Sequence, residues 1–373
     1  MPWAEVSIMD RRREFVMLAS LEGANVRELC ARFGISRQSG YKWLGRSRSG
    51  PEDFADRSRR PLHSPNRTAA AVESLVLAVR DAHPAWGARK IAWCLRRDGM
   101  APPAVSTIHG ILQRHGRVPE RRQTSHSYTR FERPVPNQLW QMDFKGQVQI
   151  QPGTWCHPLT VLDDHSRFLV CLESCGKQGT RTVKPLLEKT FRRYGLPEAF
   201  YLDNGAPWGG GTPGQWTPLG VWLLKLGIEV IHSRPYHPQG RGKNERFHRT
   251  LAAEVFDLCP LRDLAQAQKA FDEWRPIYNT QRPHEALGMA VPASRYRPST
   301  RAMPETLPEP EYGPDDSVRR VGTTKSYVSF KGRLWRVPRA FAGEPVAIRP
   351  RGEDGRYGIF FGATRIADID LRT

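Results

Sequence analysis

Apolar positions between residues 11 and 44 recur every third or fourth residue. In RREFVMLASLEG they place Phe15, Leu18 and Leu21 on one face, and in NVRELCARFG they fall at Val26, Leu29, Cys30 and Phe33. That period predicts amphipathic helices, with a tight turn at Gly34-Ile35 and a further helix capped by Ser36. A short helix, a tight turn and a second helix form the helix-turn-helix arrangement, whose second helix enters the DNA major groove. The same spacing returns at 69–83, in WGARKIAWCLRRDG and in VSTIHGILQRHG. These predict a second helix-turn-helix, of the winged type.

From Gln138 the pattern changes. LWQMDFKGQVQI, TWCHPLTVLDD and RFLVCLES predict three successive strands. TRTVKPLLEKTFRRYG predicts a helix with Val183, Leu186, Leu187 and Phe191 inward. EAFYLD follows as a strand, PLGVWLLKLG as a helix and IEVIHS as a strand, before helices at 242–256 and 261–278. Strands and helices in this order imply an α/β core with a sheet of mixed direction. Beyond a Pro-rich spacer, YVSF, RLWRV, PVAIRP, YGIFF and RIADIDL alternate apolar and polar residues, predicting a small β-barrel or sandwich of about five strands. The expected organisation is multidomain: all-α helix-turn-helix units at 1–48 and 67–118, a basic linker at 49–66, a second linker at 119–136, the α/β core at 137–290, a spacer at 291–315 and the β-domain at 316–373.

Charge adds a partner. The chain carries 57 Lys and Arg against 38 Asp and Glu, a formal net charge of +19, and the surplus is not confined to one tail. That excess points to a polyanion, with double-stranded DNA the first candidate. Arg37, Gln38, Ser39 and Lys42 on the first recognition helix, and Ser106 and Thr107 near the start of the last helix of the second unit, are placed to meet bases and phosphates. The six Cys are scattered; Cys171 and Cys175 lack a His pair at zinc-binding spacing and are expected as core thiols. No apolar run approaches the roughly 20 residues of a membrane helix, and the N-terminal residues are too polar for a signal peptide. A cytoplasmic, nucleoid-associated protein is expected, with no membrane partner.

Three carboxylates carry the candidate chemistry. Asp143 lies in the first predicted strand, Asp203 ends the fourth, and Glu245 is the single acid in HPQGRGKNERFHRTL. In this strand order the first and fourth strands are neighbours, and the later helix crosses their ends. Carboxylate oxygens suit Mg²⁺, and paired ions of this kind serve in-line displacement at phosphorus. Arg241, Lys243, Arg246 and Arg249 would then hold DNA phosphates around Glu245. Other roles stand beside these. Asp163 and Asp164 sit where Asp caps a turn, and Glu245 is spaced to pair with Arg249 on a helix surface. Asn204 either orients Asp203 or forms an Asx turn. Trp208 and Trp216 either stack on unpaired bases or pack beneath the Gly-rich loop.

The DF of the first strand, DNG at 203–205 and HSRPYHPQGRGKNERFHRTL resemble the catalytic core of DDE insertion-sequence transposases related to retroviral integrases, nearest the insertion-sequence family four-eighty-one. The helix-turn-helix front and β-rich tail are similar to that group too. The resemblance implies an RNase H-like core and two Mg²⁺ or Mn²⁺ ions. It also implies recognition of terminal inverted repeats, DNA cleavage by water, and transfer of the freed 3′-OH into target DNA by a homo-oligomer, at least a dimer. Asp143, Asp203 and Glu245 match the catalytic and metal-binding triad. The interval from Asp203 to Glu245 is longer than the family's usual one, with the surplus in PWGGGTPGQWTP. The rival readings are a sequence-specific DNA-binding regulator with an inactive integrase-like core and a plain metal-dependent nuclease.

Overall fold

A computed structural model of the chain describes residues 7–48, 54–56, 68–118, 131–209, 215–233 and 242–372. The chain divides into two compact units, Met1–Thr68 and Ala69–Thr373.

The first unit holds helices α1 (Ile8–Ala19), α2 (Val26–Arg32) and α3 (Arg37–Ser47). Side chains of Ser7, Asn25 and Ser36 accept hydrogen bonds from the first-turn amides of the three helices, which would otherwise lack partners. Phe15, Val16, Cys30, Trp43 and Phe54 form its core. Leu21, expected inward, lies beyond the end of α1 and is 61% exposed, and Val16 takes the inward place. Gly40 lets α3 approach its neighbours, since a Cβ there would stand 2.5 Å from Cys30 Sγ.

The second unit begins with helices α4 (Ala70–Ala82), α5 (Ala88–Arg97) and α6 (Val105–Arg114), packed around Val76, Ile91, Leu95, Ile108 and Ile111. No wing strand follows α6 among the described residues; much of the expected second linker, 119–130, lies outside them.

The core follows as β1 (Trp140–Phe144), β2 (Val148–Gln151), β3 (Thr154–Asp163), β4 (Leu169–Cys175), α7 (Thr180–Tyr194), β5 (Ala199–Leu202), α8 (Pro218–Lys225), β6 (Glu229–His232), α9 (Gly242–Leu251) and α10 (Leu264–Pro276). Its sheet runs β2-β3-β1-β5-β6, with β4 also on β3. The long strand expected from LWQMDFKGQVQI is instead two, β1 and β2, separated where Gly146 takes φ +92°. α7 and α8 share one apolar cluster with the sheet, and α9 and α10 share another, as expected for a sheet covered by helices on both faces. Cys171 and Cys175 are buried thiols, as expected. The two late helices are each shorter than expected and run on into π-helical turns, Ala252–Phe256 and Ile277–Gln281.

The C-terminal strands are β7 (Ser317–Arg320), β8 (Tyr327–Phe330), β9 (Arg333–Arg336), β10 (Pro345–Arg351), β11 (Glu353–Phe361) and β12 (Thr364–Asp370). They form a four-stranded sheet, β12-β11-β10-β7, and a separate β8-β9 hairpin around one apolar core. Six strands in two sheets thus stand where about five in a barrel or sandwich were expected. β7 escaped the sequence because SVRR has no alternating pattern. Val221 of α8 enters this core, and Lys225 pairs with Glu344 at 2.8 Å, joining the β-domain to the α/β core. No described helix is long and apolar enough to cross a membrane.

Candidate active site

Strand pairing brings the two aspartates together. β1 runs parallel to β5 with Trp140 opposite Phe200 and Gln141 opposite Tyr201. Asp143 and Asp203 each stand three residues beyond the first of those pairs, at the same end of adjacent strands, and both are half-buried. The loop after β5 holds Asp203 closely. Its Oδ1 accepts the Gly205 amide at 2.9 Å and the indole N–H of Trp208. Its carbonyl accepts from His232 Nδ1 at 2.9 Å, while Asn204 Nδ2 donates to the Ser233 carbonyl at 2.9 Å. Asp203 itself therefore makes the turn bond, and Asn204 ties the loop to the end of β6. Burial lowers the pKa of His232 below its ordinary value. Trp208 is buried, stacked on Phe144 with centroids 5.2 Å apart, and Trp216 packs edge-on against Phe341. Packing, not an open base platform, is the arrangement found for both.

Helix α9 crosses this end of the sheet. Asn244, Phe247 and Leu251 are its buried residues, while Glu245, Arg246 and Arg249 are exposed. Thr160, opposite Asp143 on β3, donates its hydroxyl to the Asp143 carbonyl at 3.0 Å, and His248 Nε2 lies 3.0 Å from the same hydroxyl oxygen. A hydroxyl has one proton, so His248 Nε2 must be the donor in that second bond.

Lys243 departs from expectation. Its ammonium is bonded to Asp164, a carboxylate with a side-chain exposure of 0%, instead of facing a DNA phosphate. Burial, aided by the nearby Arg167 cation, pushes the Lys243 pKa down to about 8. Asp164 also accepts the Arg133 amide at 2.8 Å and Gln141 Nε2 at 2.7 Å. Asp163 accepts the Asn137 amide at 2.7 Å and both the amide and hydroxyl of Ser166. Burial raises the Asp163 pKa against these donors. Asp163 thus has the turn-capping role weighed for it, whereas Asp164 bonds Arg133, Gln141 and Lys243, all far away in sequence.

The three carboxylates do not close around a single point: among the described residues no three His, Cys, Asp or Glu side chains are grouped to hold a metal ion. Asp143 and Asp203 meet at the strand ends, and Glu245 lies one helical turn before the His248 contact. The reason is the seating of α9, whose inward stripe of Asn244, Phe247, His248 and Leu251 leaves Glu245 on the rim. Glu245 forms no ion pair with Arg249 among the described residues.

Of the expected DNA contacts, Arg37, Gln38 and Lys42 are exposed on α3. Ser39 is half-buried, its hydroxyl 3.0 Å from Ser36 Oγ, which also accepts its amide at 3.1 Å. Ser106 is exposed and Thr107 half-buried on α6. Arg241 lies outside the described residues. The sequence reading missed Tyr41, 62% exposed on α3, although an aromatic off the apolar stripe was its signal. It also missed Lys90 of α5, whose pKa burial and the Arg282 cation lower to about 8; nothing in the spacing marks that residue.

Residues 133–238 and 226–292 each match a model described as an integrase core domain. Residues 316–373 match the C-terminal domain of IS481 family transposases, 39–112 a homeodomain-like domain and 11–61 a helix-turn-helix domain. The chain is 30% identical over 43% of its length to the insertion element IS476 uncharacterized 39.2 kDa protein of Xanthomonas euvesicatoria, covering 44% of that protein. It is 27% identical over 43% of its length to the IS407 uncharacterized 31.7 kDa protein of Burkholderia multivorans, covering 55%. The matches thus span about half the length of these relatives. Among solved structures, the HTLV-2 integrase catalytic core domain in complex with magnesium covers 44% of this chain and 99% of its own, at 15% identity and a TM-score of 0.34.

Proposed function

We propose, for a chain that belongs with the transposases combining an integrase core and an IS481-type C-terminal domain, that it binds the terminal inverted repeats of its element, cuts DNA there and joins the freed 3′-OH to target DNA. The observation that carries this reading is the parallel pairing that puts Asp143 and Asp203 at adjoining strand ends beside α9. Two half-buried aspartates form a hard oxygen donor set suited to Mg²⁺ or Mn²⁺. Asp143 and Asp203 would hold such ions, with Glu245 offering a third carboxylate from the rim of α9, and the ions would neutralise charge on the reacting phosphate and polarise the attacking hydroxyl. The chain's own residues do the remainder. Gly205 and Trp208 orient the Asp203 carboxylate. The His248–Thr160 contact seats α9 against β3, opposite Asp143. Arg246 and Arg249, exposed on that helix, hold the phosphodiester backbone. A homo-oligomer, at least a dimer, brings two element ends together.

The activity is tested with the full chain, Mg²⁺ and a labelled fragment of the element end. Nicked and joined products support the reading, and DNA left intact beside a bound complex favours a regulator. Binding is divided between the units. Residues 1–68 form a compact unit of their own, and α3 presents Arg37, Gln38, Tyr41 and Lys42 outward. Removing residues 1–66 is expected to erase preference for the repeats, commonly a factor of about 10³ or more, while leaving weak, salt-sensitive binding to any duplex. Gel shifts against unrelated competitor DNA measure this. Preference retained in the truncated chain would assign base reading to α4–α6.

A further inference from the structure

Trp208 touches the surroundings of both aspartates. Its ring stacks on Phe144, the neighbour of Asp143, with an interplanar angle of 21°, and its indole N–H donates to Asp203 Oδ1. It is 2% exposed, so neither contact competes with bulk water. Its backbone is held as well: the amide donates to the Gly205 carbonyl at 3.2 Å, and the carbonyl accepts from Thr217 Oγ1 at 3.3 Å. The loop is tight enough that a Cβ on Gly209 would stand 2.4 Å from the Asn204 carbonyl oxygen. A rigid donor on a rigid loop restricts rotation of the carboxylate it meets. A phenyl ring would keep an aromatic against Phe144 without supplying a donor.

We infer that Trp208 is a positioning residue, whose indole N–H holds the Asp203 carboxylate in the orientation that takes up a divalent cation. The inference rests on the proposed role of Asp203 as a metal-holding group. Hydrogen-bond partners of metal-ligating carboxylates commonly change metal affinity by about 10- to 100-fold when removed. Trp208→Phe keeps the aromatic stack and deletes the donor; Trp208→His keeps a ring N–H.

The test is titration of Mn²⁺ alone into the full chain without DNA, followed by calorimetry or the Mn²⁺ EPR signal, with thermal unfolding and DNA binding in chelator measured alongside. Trp208→Phe is expected to raise the half-saturating Mn²⁺ concentration about 10-fold. The chain is expected to stay folded, with a modest fall in unfolding midpoint from the smaller ring; chelator-independent DNA affinity is expected to hold, and Trp208→His should recover part of the Mn²⁺ affinity. The Mg²⁺ concentration for half-maximal cleavage should rise in parallel. Asp203→Asn separates the two readings. If Asp203→Asn weakens Mn²⁺ binding and Trp208→Phe leaves it unchanged, the positioning role is overturned while the site stands. If Asp203→Asn itself binds Mn²⁺ like the parent chain, both readings fall. Loss of folding in both Trp208 variants would make the residue a packing element and overturn the inference.

Discussion

Glu245→Gln is expected to reduce Mg²⁺-dependent strand cleavage by about three orders of magnitude or more, about 4 kcal/mol by transition-state arithmetic. The amide keeps the size of the side chain and removes the anion that would hold the cation. Asp143→Asn and Asp203→Asn should behave alike, because the pairing of β1 with β5 places both at the same end of adjacent strands. DNA affinity in chelator should stay level or rise for Glu245→Gln, since Arg246 and Arg249 remain and a negative charge beside them has gone. Cleavage and joining of a labelled end fragment are the measurements, with Asp163→Asn, scored on folded protein, as the control. Asp163 is engaged by Asn137 and Ser166, so its substitution should leave chemistry running. Full cleavage by Glu245→Gln together with loss in Asp163→Asn would move the site to the β3–β4 turn.

Lys243→Met is expected to destabilise the α/β core by about 3–5 kcal/mol, the usual cost of stranding one member of a buried ion pair. The methionine fills the volume but leaves the fully buried Asp164 carboxylate without its cation. The Arg133 amide and Gln141 Nε2 remain as partners, which should keep the loss toward the lower end of that range. Cleavage should fall too, because Lys243 anchors the first turn of α9 and Glu245 lies two residues on. Combining Lys243→Met with Asp164→Asn should restore part of the stability, and the coupling in this double-mutant cycle isolates the pair. Urea unfolding of the four proteins provides the values. A loss below about 1 kcal/mol in Lys243→Met, the scale of an exposed pair, would show that the ion pair does not hold α9.

Much of the local order is written in the residue pattern. Repeats of three and four placed α1–α10, and caps such as Ser36 marked where a helix starts, because both depend on neighbours within a turn. Strand-like stretches bounded by short turns located β3 and β4 for the same local reason. The neighbour relation of β1 and β5 was legible as well, since the order of strands and helices restricts how such a sheet can be wound. The positive surplus and the three acids at 143, 203 and 245 needed no fold to be noticed.

Side-chain partners were another matter. Lys243 looks in sequence like Arg246 or Arg249, another cation in a basic run. Only the seating of α9 turns it toward Asp164 and leaves the two arginines in solvent. Trp208 was an aromatic in a glycine-rich stretch, equally suited to a nucleobase or to a core; the turn after β5 brought its N–H onto Asp203. β7 has no alternation, and its pairing with β10 comes from backbone hydrogen bonds that any side chains permit. The sequence by itself determined which elements form and which groups are available for chemistry, because helix period, capping and charge are properties of short stretches. Only the tertiary structure decided which of those groups meet, because burial selects one rotation of each helix and one register of each strand, and distant residues come into contact only after that choice.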